Sequence, residues 1–201
     1  KKKINQIKKN IKQIKKEKKN IQIMKYFEPS IINRKKNILI RIENFYEYSE
    51  FFRKLIDSKK LINILKKLTG KNWILFKEKI NFKPKGSRAD KLHQDVQSGW
   101  NKYANNFMSI VISVDNSSHN NGCLEFDWSG NNHNDLKGKL FVPLKPKDLH
   151  KPSFKKFPLK PGDVVFFNGY IPHRSKKNTS NKPRTQIYLT YFSKKFLKQN
   201  P

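Results

Sequence analysis

Apolar residues fall into three regimes along the chain. In residues 1–25, Ile4, Ile7, Ile11 and Ile14 recur at spacings of three and four among Lys, Asn and Gln. Side chains so spaced share one face of a helix, so this zone is predicted to be a basic amphipathic helix. Such a helix packs on the body, pairs with a partner helix, touches an acidic surface or frays into solvent, and the pattern alone leaves these open. Glu28-Pro29-Ser30 interrupts it, and a short apolar run follows from Ile38 to Ile42. A second helical stretch is predicted from about Tyr46 to Leu68. Phe51, Phe52, Leu55, Ile56, Leu61, Ile62, Ile64, Leu65 and Leu68 supply its apolar faces, and Thr69-Gly70 its stop.

From Trp73 the period shortens. Trp73–Phe82, Phe107–Asp115, Cys123–Trp128, Leu140–Pro143, Asp163–Asn168 and Thr185–Phe192 are short and rich in β-branched or aromatic residues, with Gly, Pro and Asn clusters between them. Leading helices followed by many short strands predict an α+β chain with a jelly-roll core and supporting N-terminal helices. The expected organisation is a basic arm, residues 1–27, ahead of one domain, residues 28–201.

Composition adds three constraints. A length of 201 residues suits a single domain, and 15 Phe, 7 Tyr and 3 Trp provide for a packed interior. Cys123, the lone cysteine, cannot close an intramolecular disulfide, and no run has the length and apolarity of a membrane span or the pattern of a signal peptide. A cytoplasmic protein is the resulting expectation. The net charge of +30 favours anionic partners, nucleic acid included. Heavy use of Lys, Asn and Ile throughout, with lysines spread rather than striped, fits compositional drift better.

The candidate chemistry lies in three places. In His93-Gln94-Asp95, residues two apart on an extended segment point the same way, so an imidazole and a carboxylate face one spot while Gln94 points away. His173 follows eighty residues later, after Pro161-Gly162-Asp163 and the strand-like Val164–Asn168. Two imidazoles and one carboxylate form the facial triad suited to non-haem iron(II), with open positions for a bidentate 2-oxo acid and for oxygen. A second carboxylate on that acid requires a cation at its far end. Arg184, eleven residues beyond His173, offers a planar fork matched to it, and Ser175 offers a hydroxyl. Lys79, Gln97 and Trp100 are candidates for the substrate side, with Trp100 equally suited to the core. His119, His133 and His150 sit in Asn- and Lys-rich loops and read as exposed imidazoles, while Cys123 reads as a small core residue.

Taken together, Leu75–Lys83, Leu92-His93-Gln94-Asp95, Asn121-Gly122-Cys123-Leu124-Glu125 and Pro161–Arg184 resemble the phytanoyl-CoA dioxygenase family over about residues 45–195. The strings LFKEKINFK, HQD and PHRSKKN are most similar to the subgroup acting on 2-aminoethylphosphonate and related small phosphonates. The resemblance implies a double-stranded β-helix that binds iron(II) through His93, Asp95 and His173. It implies 2-oxoglutarate as co-substrate, held by Arg184 and Ser175 with Asn81 and Lys83 lining that side. Asp95 bears on the outcome, since a carboxylate there leaves no site for a halide and argues for hydroxylation. The family usually has a longer region ahead of the barrel, and residues 1–25 fall outside the resemblance. Removing them is therefore expected to leave iron and 2-oxoglutarate binding intact. The rival reading is a non-catalytic basic module binding nucleic acid or an acidic partner, for which His93, Asp95 and His173 have no reason to converge.

Overall fold

The computed structural model describes residues 1–18, 22–70, 72–131 and 133–193. Its elements in chain order are α1 (Lys2–Lys16), β1 (Met24–Pro29), β2 (Asn37–Glu43), α2 (Glu50–Ile56), α3 (Lys59–Thr69), β3 (Trp73–Lys83), β4 (Asp90–His93), β5 (Phe107–Ser113), β6 (Leu124–Asp127), β7 (Phe154–Phe157), β8 (Val164–Asn168), β9 (His173–Ser175) and β10 (Arg184–Ser193). A six-stranded sheet runs β1-β2-β3-β10-β5-β8 and a four-stranded sheet runs β4-β9-β6-β7. Every strand pair in both is antiparallel. Val111, Tyr188 and Phe167 of the large sheet meet Leu124 and Phe126 of the small one in a shared cluster. This is the predicted jelly roll.

The large sheet has two chemically distinct faces because side chains alternate along each strand. On one face Ile80, Ile110, Ile112, Ile187 and Leu189 join the main apolar core. On the other, β10 sets Arg184 opposite Lys83, Gln186 opposite Asn81 and Tyr188 opposite Lys79. Thr190 lies opposite Ser109 of β5 on this same face. A polar row thus lies inside the roll along its central strand, while the apolar row carries the helices.

The predicted amphipathic helix is α1, and its apolar face is packed rather than solvated. Ile7, Ile11 and Ile14 are 2%, 5% and 1% exposed within the main core. Lys15 Nζ lies 3.9 Å from the Phe82 ring centroid, and Lys8 pairs with Asp115 at 2.8 Å. A division after residue 27 separates this helix from the body in sequence but not in packing, and it cuts β1, whose six residues pair with β2. This packing stands against the expectation that residues 1–25 can be removed without effect on the body.

Several further elements differ from the sequence reading, among them β1, which holds the Glu28-Pro29 expected as a break. The long helix expected from Tyr46 to Leu68 is two helices, each with its own serine cap. Ser49 accepts a hydrogen bond from Phe52 N and Ser58 from Leu61 N, so the local caps restart the helix. Gly70, in the left-handed region at φ 66°, does end α3. No strand forms at 140–143: Phe141 N donates to Gln97 O and Gln97 Nε2 to the Lys139 and Val142 carbonyls, so this backbone is satisfied by a side chain and a turn. Strand β7, Phe154–Phe157, was not predicted; two lysines sit between its two phenylalanines.

Candidate functional site

His93 closes β4, and His173 opens β9 directly opposite it in the small sheet. Gln94 is extended, at φ −104° and ψ 140°, so the alternation expected across 93–95 holds even though Asp95 begins a turn of 3₁₀ helix. The ligand atoms of His93, Asp95 and His173 lie within 4.8 Å of one another. The imidazole centroids are 4.3 Å apart, and His173 Nε2 is 3.9 Å from Asp95 Oδ1.

The surroundings leave the ligating atoms free. His93 Nδ1 meets the Lys91 carbonyl at 2.7 Å and His173 Nδ1 the Ile171 carbonyl at 2.9 Å. A carbonyl accepts only from a protonated nitrogen, so in each neutral ring Nε2 carries the lone pair. Ser109 Oγ donates to Asp95 Oδ2 at 2.8 Å, which turns Oδ1 toward the imidazoles. Burial and the neighbouring His93 push His173 down to about 4, so its imidazole is uncharged at neutral pH. Burial works against charge on Asp95, but Lys79, His173 and His93 outweigh it and hold the carboxyl below its ordinary value. The neutral His173 imidazole beside an ionised carboxylate fits a divalent transition metal, and tethered second nitrogens on both rings are the usual support for such a centre.

Beyond the triad, along the polar row, lies a cation cluster. Arg184 is 2% exposed, donates from Nη1 to the Gly122 carbonyl, and keeps Nε buried without a partner. Asn81 Oδ1 beside it is also buried and unpartnered. Orphaned buried polar groups are costly, and a free guanidinium Nε with an unpartnered amide beside it fits a ligand-binding position. Lys83 Nζ donates to Asp90 Oδ2 at 2.7 Å and to Ser175 Oγ. Burial lowers Lys83 to about 8 despite the Asp90 carboxylate.

The whole of residues 1–186 matches the phytanoyl-CoA dioxygenase family. The chain belongs to that family. It is 32% identical over 168 residues to a 2-aminoethylphosphonate dioxygenase from an uncultured bacterium, covering 84% of this chain and 64% of that protein. It is 32% identical over 155 residues to a methylphosphonate hydroxylase from Gimesia maris, covering 75% of this chain and 57% of that protein. The chain therefore spans about two thirds or less of these curated relatives. Among solved structures, EctD from S. alaskensis with 2-oxoglutarate and 5-hydroxyectoine superposes with a TM-score of 0.79 at 17% identity, over 97% of this chain and 70% of that one. The match from residue 1 includes the segment that lay outside the resemblance read from sequence.

The other candidates divide. Asn81 and Lys83 line one cavity with Arg184, Ser175 bonds Lys83, and Lys79 Nζ is 3.9 Å from Asp95 Oδ1 and 5.0 Å from the Tyr188 ring centroid. Gln97 borders a surface cavity with His93, with both N–H groups of its amide committed to the Lys139 and Val142 carbonyls and its Oε1 accepting from Gln94 N. Trp100 is core: it packs 5.4 Å from both Phe76 and Phe107, in a cluster with Val96 and Tyr170. Gln94 points away from the triad as expected, bonding the Asp135 and Tyr170 carbonyls and Lys137 N. Cys123 is buried, as predicted. His133 is not an exposed imidazole, since Nε2 lies 3.2 Å from the fully buried Asp127 carboxylate.

Sequence reasoning missed two residues, Ser109 and Asp90. Ser109 stands out in hindsight as a polar residue inside the apolar run of β5. Asp90 carries no such signal, because three residues of β4 span two of β9 and only that irregularity turns Asp90 and His93 to the same side.

Proposed function

We propose that the protein is an iron(II)- and 2-oxoglutarate-dependent dioxygenase that hydroxylates a small organic substrate. The observation that carries this reading is the convergence of His93, Asp95 and His173 with free ligating atoms, one end of a polar row whose other end is Arg184. His93 Nε2, His173 Nε2 and Asp95 Oδ1 would hold iron(II) on one face. Iron(II) with 2-oxoglutarate supplies the oxygen activation; the protein supplies geometry and a dry pocket. Arg184, with Lys83, Ser175 and Asn81, would bind the far carboxylate of 2-oxoglutarate and aim its 2-oxo acid end at the triad. Phe126 and Phe167, with ring centroids 5.7 and 5.1 Å from that of His173, keep water from the imidazole's outer side. Ser109 fixes the carboxylate rotamer of Asp95, and a carboxylate at that position favours hydroxylation over halogenation.

For the substrate, we propose a small anionic or zwitterionic phosphonate. Two relatives carry phosphonate names, and Lys79 brings an ammonium to the edge of the triad. A phosphonate carries a charge near that of a phosphate monoester and suits a lysine partner. The alternative of a non-catalytic basic module explains the charge of +30 but gives no reason for the convergent triad. Succinate release is measured with 2-aminoethylphosphonate, with methylphosphonate and with a short acyl-CoA. Turnover dependent on a phosphonate is expected, and turnover with the acyl-CoA alone overturns the substrate assignment.

A further inference from the structure

One carboxylate in the co-substrate region has no part in the reading above. Asp90 Oδ2 accepts from Lys83 Nζ at 2.7 Å and from Ser175 Oγ, and lies 3.9 Å from Arg184 Nη2. These are three of the four side chains assigned to the far carboxylate of 2-oxoglutarate. A carboxylate oxygen of the chain itself therefore stands at the meeting point of the donors for a ligand carboxylate.

Asp90 is held there by charge. Burial favours its neutral form, but Lys83 and then Arg184 outweigh it and keep the carboxyl well below the usual range. The hold is not closed on all sides. The Asp90 side chain is 46% exposed, unlike Arg184 at 2% and Lys83 at 3%. The cavity at this end is lined by Asn81, Lys83, Asp90 and Arg184, and also by Arg88 and Glu28. Arg88, 54% exposed and paired with Glu28 at 2.7 Å, lines the same cavity, close enough for the Asp90 charge to act on it.

We propose that Asp90 is a specificity-determining residue of the co-substrate site. Its carboxylate competes with the ligand's far carboxylate for Lys83, Ser175 and Arg184, and so sets the affinity for 2-oxo dicarboxylic acids. The inference rests on the reading that this pocket binds 2-oxoglutarate. A ligand carboxylate entering beside an ionised Asp90 meets a like charge and donors already engaged, and either cost lowers its affinity. A 2-oxo acid without a far carboxylate does not reach these donors and is indifferent to Asp90.

The test is anaerobic calorimetry on the iron(II)-loaded full chain, comparing wild type with Asp90→Asn and Asp90→Ser. Two ligands are titrated, 2-oxoglutarate and the monocarboxylic 2-oxobutyrate. Asparagine keeps the shape and an acceptor oxygen without the charge, and serine provides a second route if asparagine impairs folding. Both variants are expected to bind 2-oxoglutarate at least about tenfold more tightly, with 2-oxobutyrate affinity unchanged. A wild type that binds 2-oxoglutarate while the variants bind it equally or more weakly overturns the inference alone, making Asp90 a support for Lys83. Equal tightening for both ligands also overturns it. Failure of wild type and variants alike to bind 2-oxoglutarate overturns both this inference and the co-substrate reading.

Discussion

Replacing Ile14 by alanine tests whether α1 belongs to the folded body. Ile14 is 1% exposed, in a core shared with Ile42, Ile80, Phe82 and Ile187 of the large sheet. Truncating a buried isoleucine to alanine typically costs about 2–5 kcal/mol, from lost transfer energy and the cavity left behind. In a domain of this size each kcal/mol moves the melting temperature by about 2–4 °C, so Ile14→Ala should melt roughly 4–20 °C lower. Lys12→Ala, on the exposed side of the same helix, should change it by no more than about 2 °C. Removing α1 entirely uncovers three buried isoleucines at about 1.5–3 kcal/mol each, comparable with the whole stability of a typical domain at about 5–15 kcal/mol. Thermal unfolding followed by circular dichroism gives the comparison. Ile14→Ala melting within about 2 °C of the parent would refute the packing argument and return α1 to the status of an arm.

Arg184→Lys should weaken 2-oxoglutarate by about tenfold or more while leaving iron(II) affinity nearly unchanged, since lysine keeps the charge but loses the fork. Equal losses would make Arg184 structural. Ser109→Ala frees the Asp95 carboxylate to rotate and should cost about tenfold in iron(II) affinity, read by competition with a chelator. Unchanged affinity would show that packing alone orients Asp95. Lys83, lowered to about 8, binds an anion only while protonated. Affinity for 2-oxoglutarate should therefore be flat below pH 8 and fall as pH rises through and beyond it, an inflection that Lys83→Arg removes. An affinity constant to pH 10 would contradict a role for the Lys83 charge.

The parts of the site that rest on short-range geometry were legible in sequence. The His93-x-Asp95 spacing needs only one extended residue between its members, and Gln94 supplies it. Arg184 and Ser175 followed from what a 2-oxo dicarboxylic acid requires, and their neighbours Asn81 and Lys83 from family resemblance. What was illegible depends on register. Asp90 is three residues from His93, an odd spacing that regular strand geometry sends to the opposite face, and only the irregularity against β9 reverses it. The segment Leu140–Pro143 has strand-like composition but finds its partners in Gln97, a distant side chain that no pattern connects to it. The isoleucine period located α1 but gave no information on what would cover its face. That answer lies in the apolar side of a sheet assembled from residues far along the chain.

The central claim is that His93, Asp95 and His173 hold one iron(II) within reach of a 2-oxo acid anchored at Arg184. Its most direct test is an anaerobic titration of the full chain with iron(II) and then 2-oxoglutarate, followed by the metal-to-ligand charge-transfer absorption of the chelate. One equivalent of each should saturate the band, and His173→Ala, folded by circular dichroism, should bind neither iron nor co-substrate at that stoichiometry. A band of undiminished intensity in His173→Ala, or none in the wild type, would contradict the account.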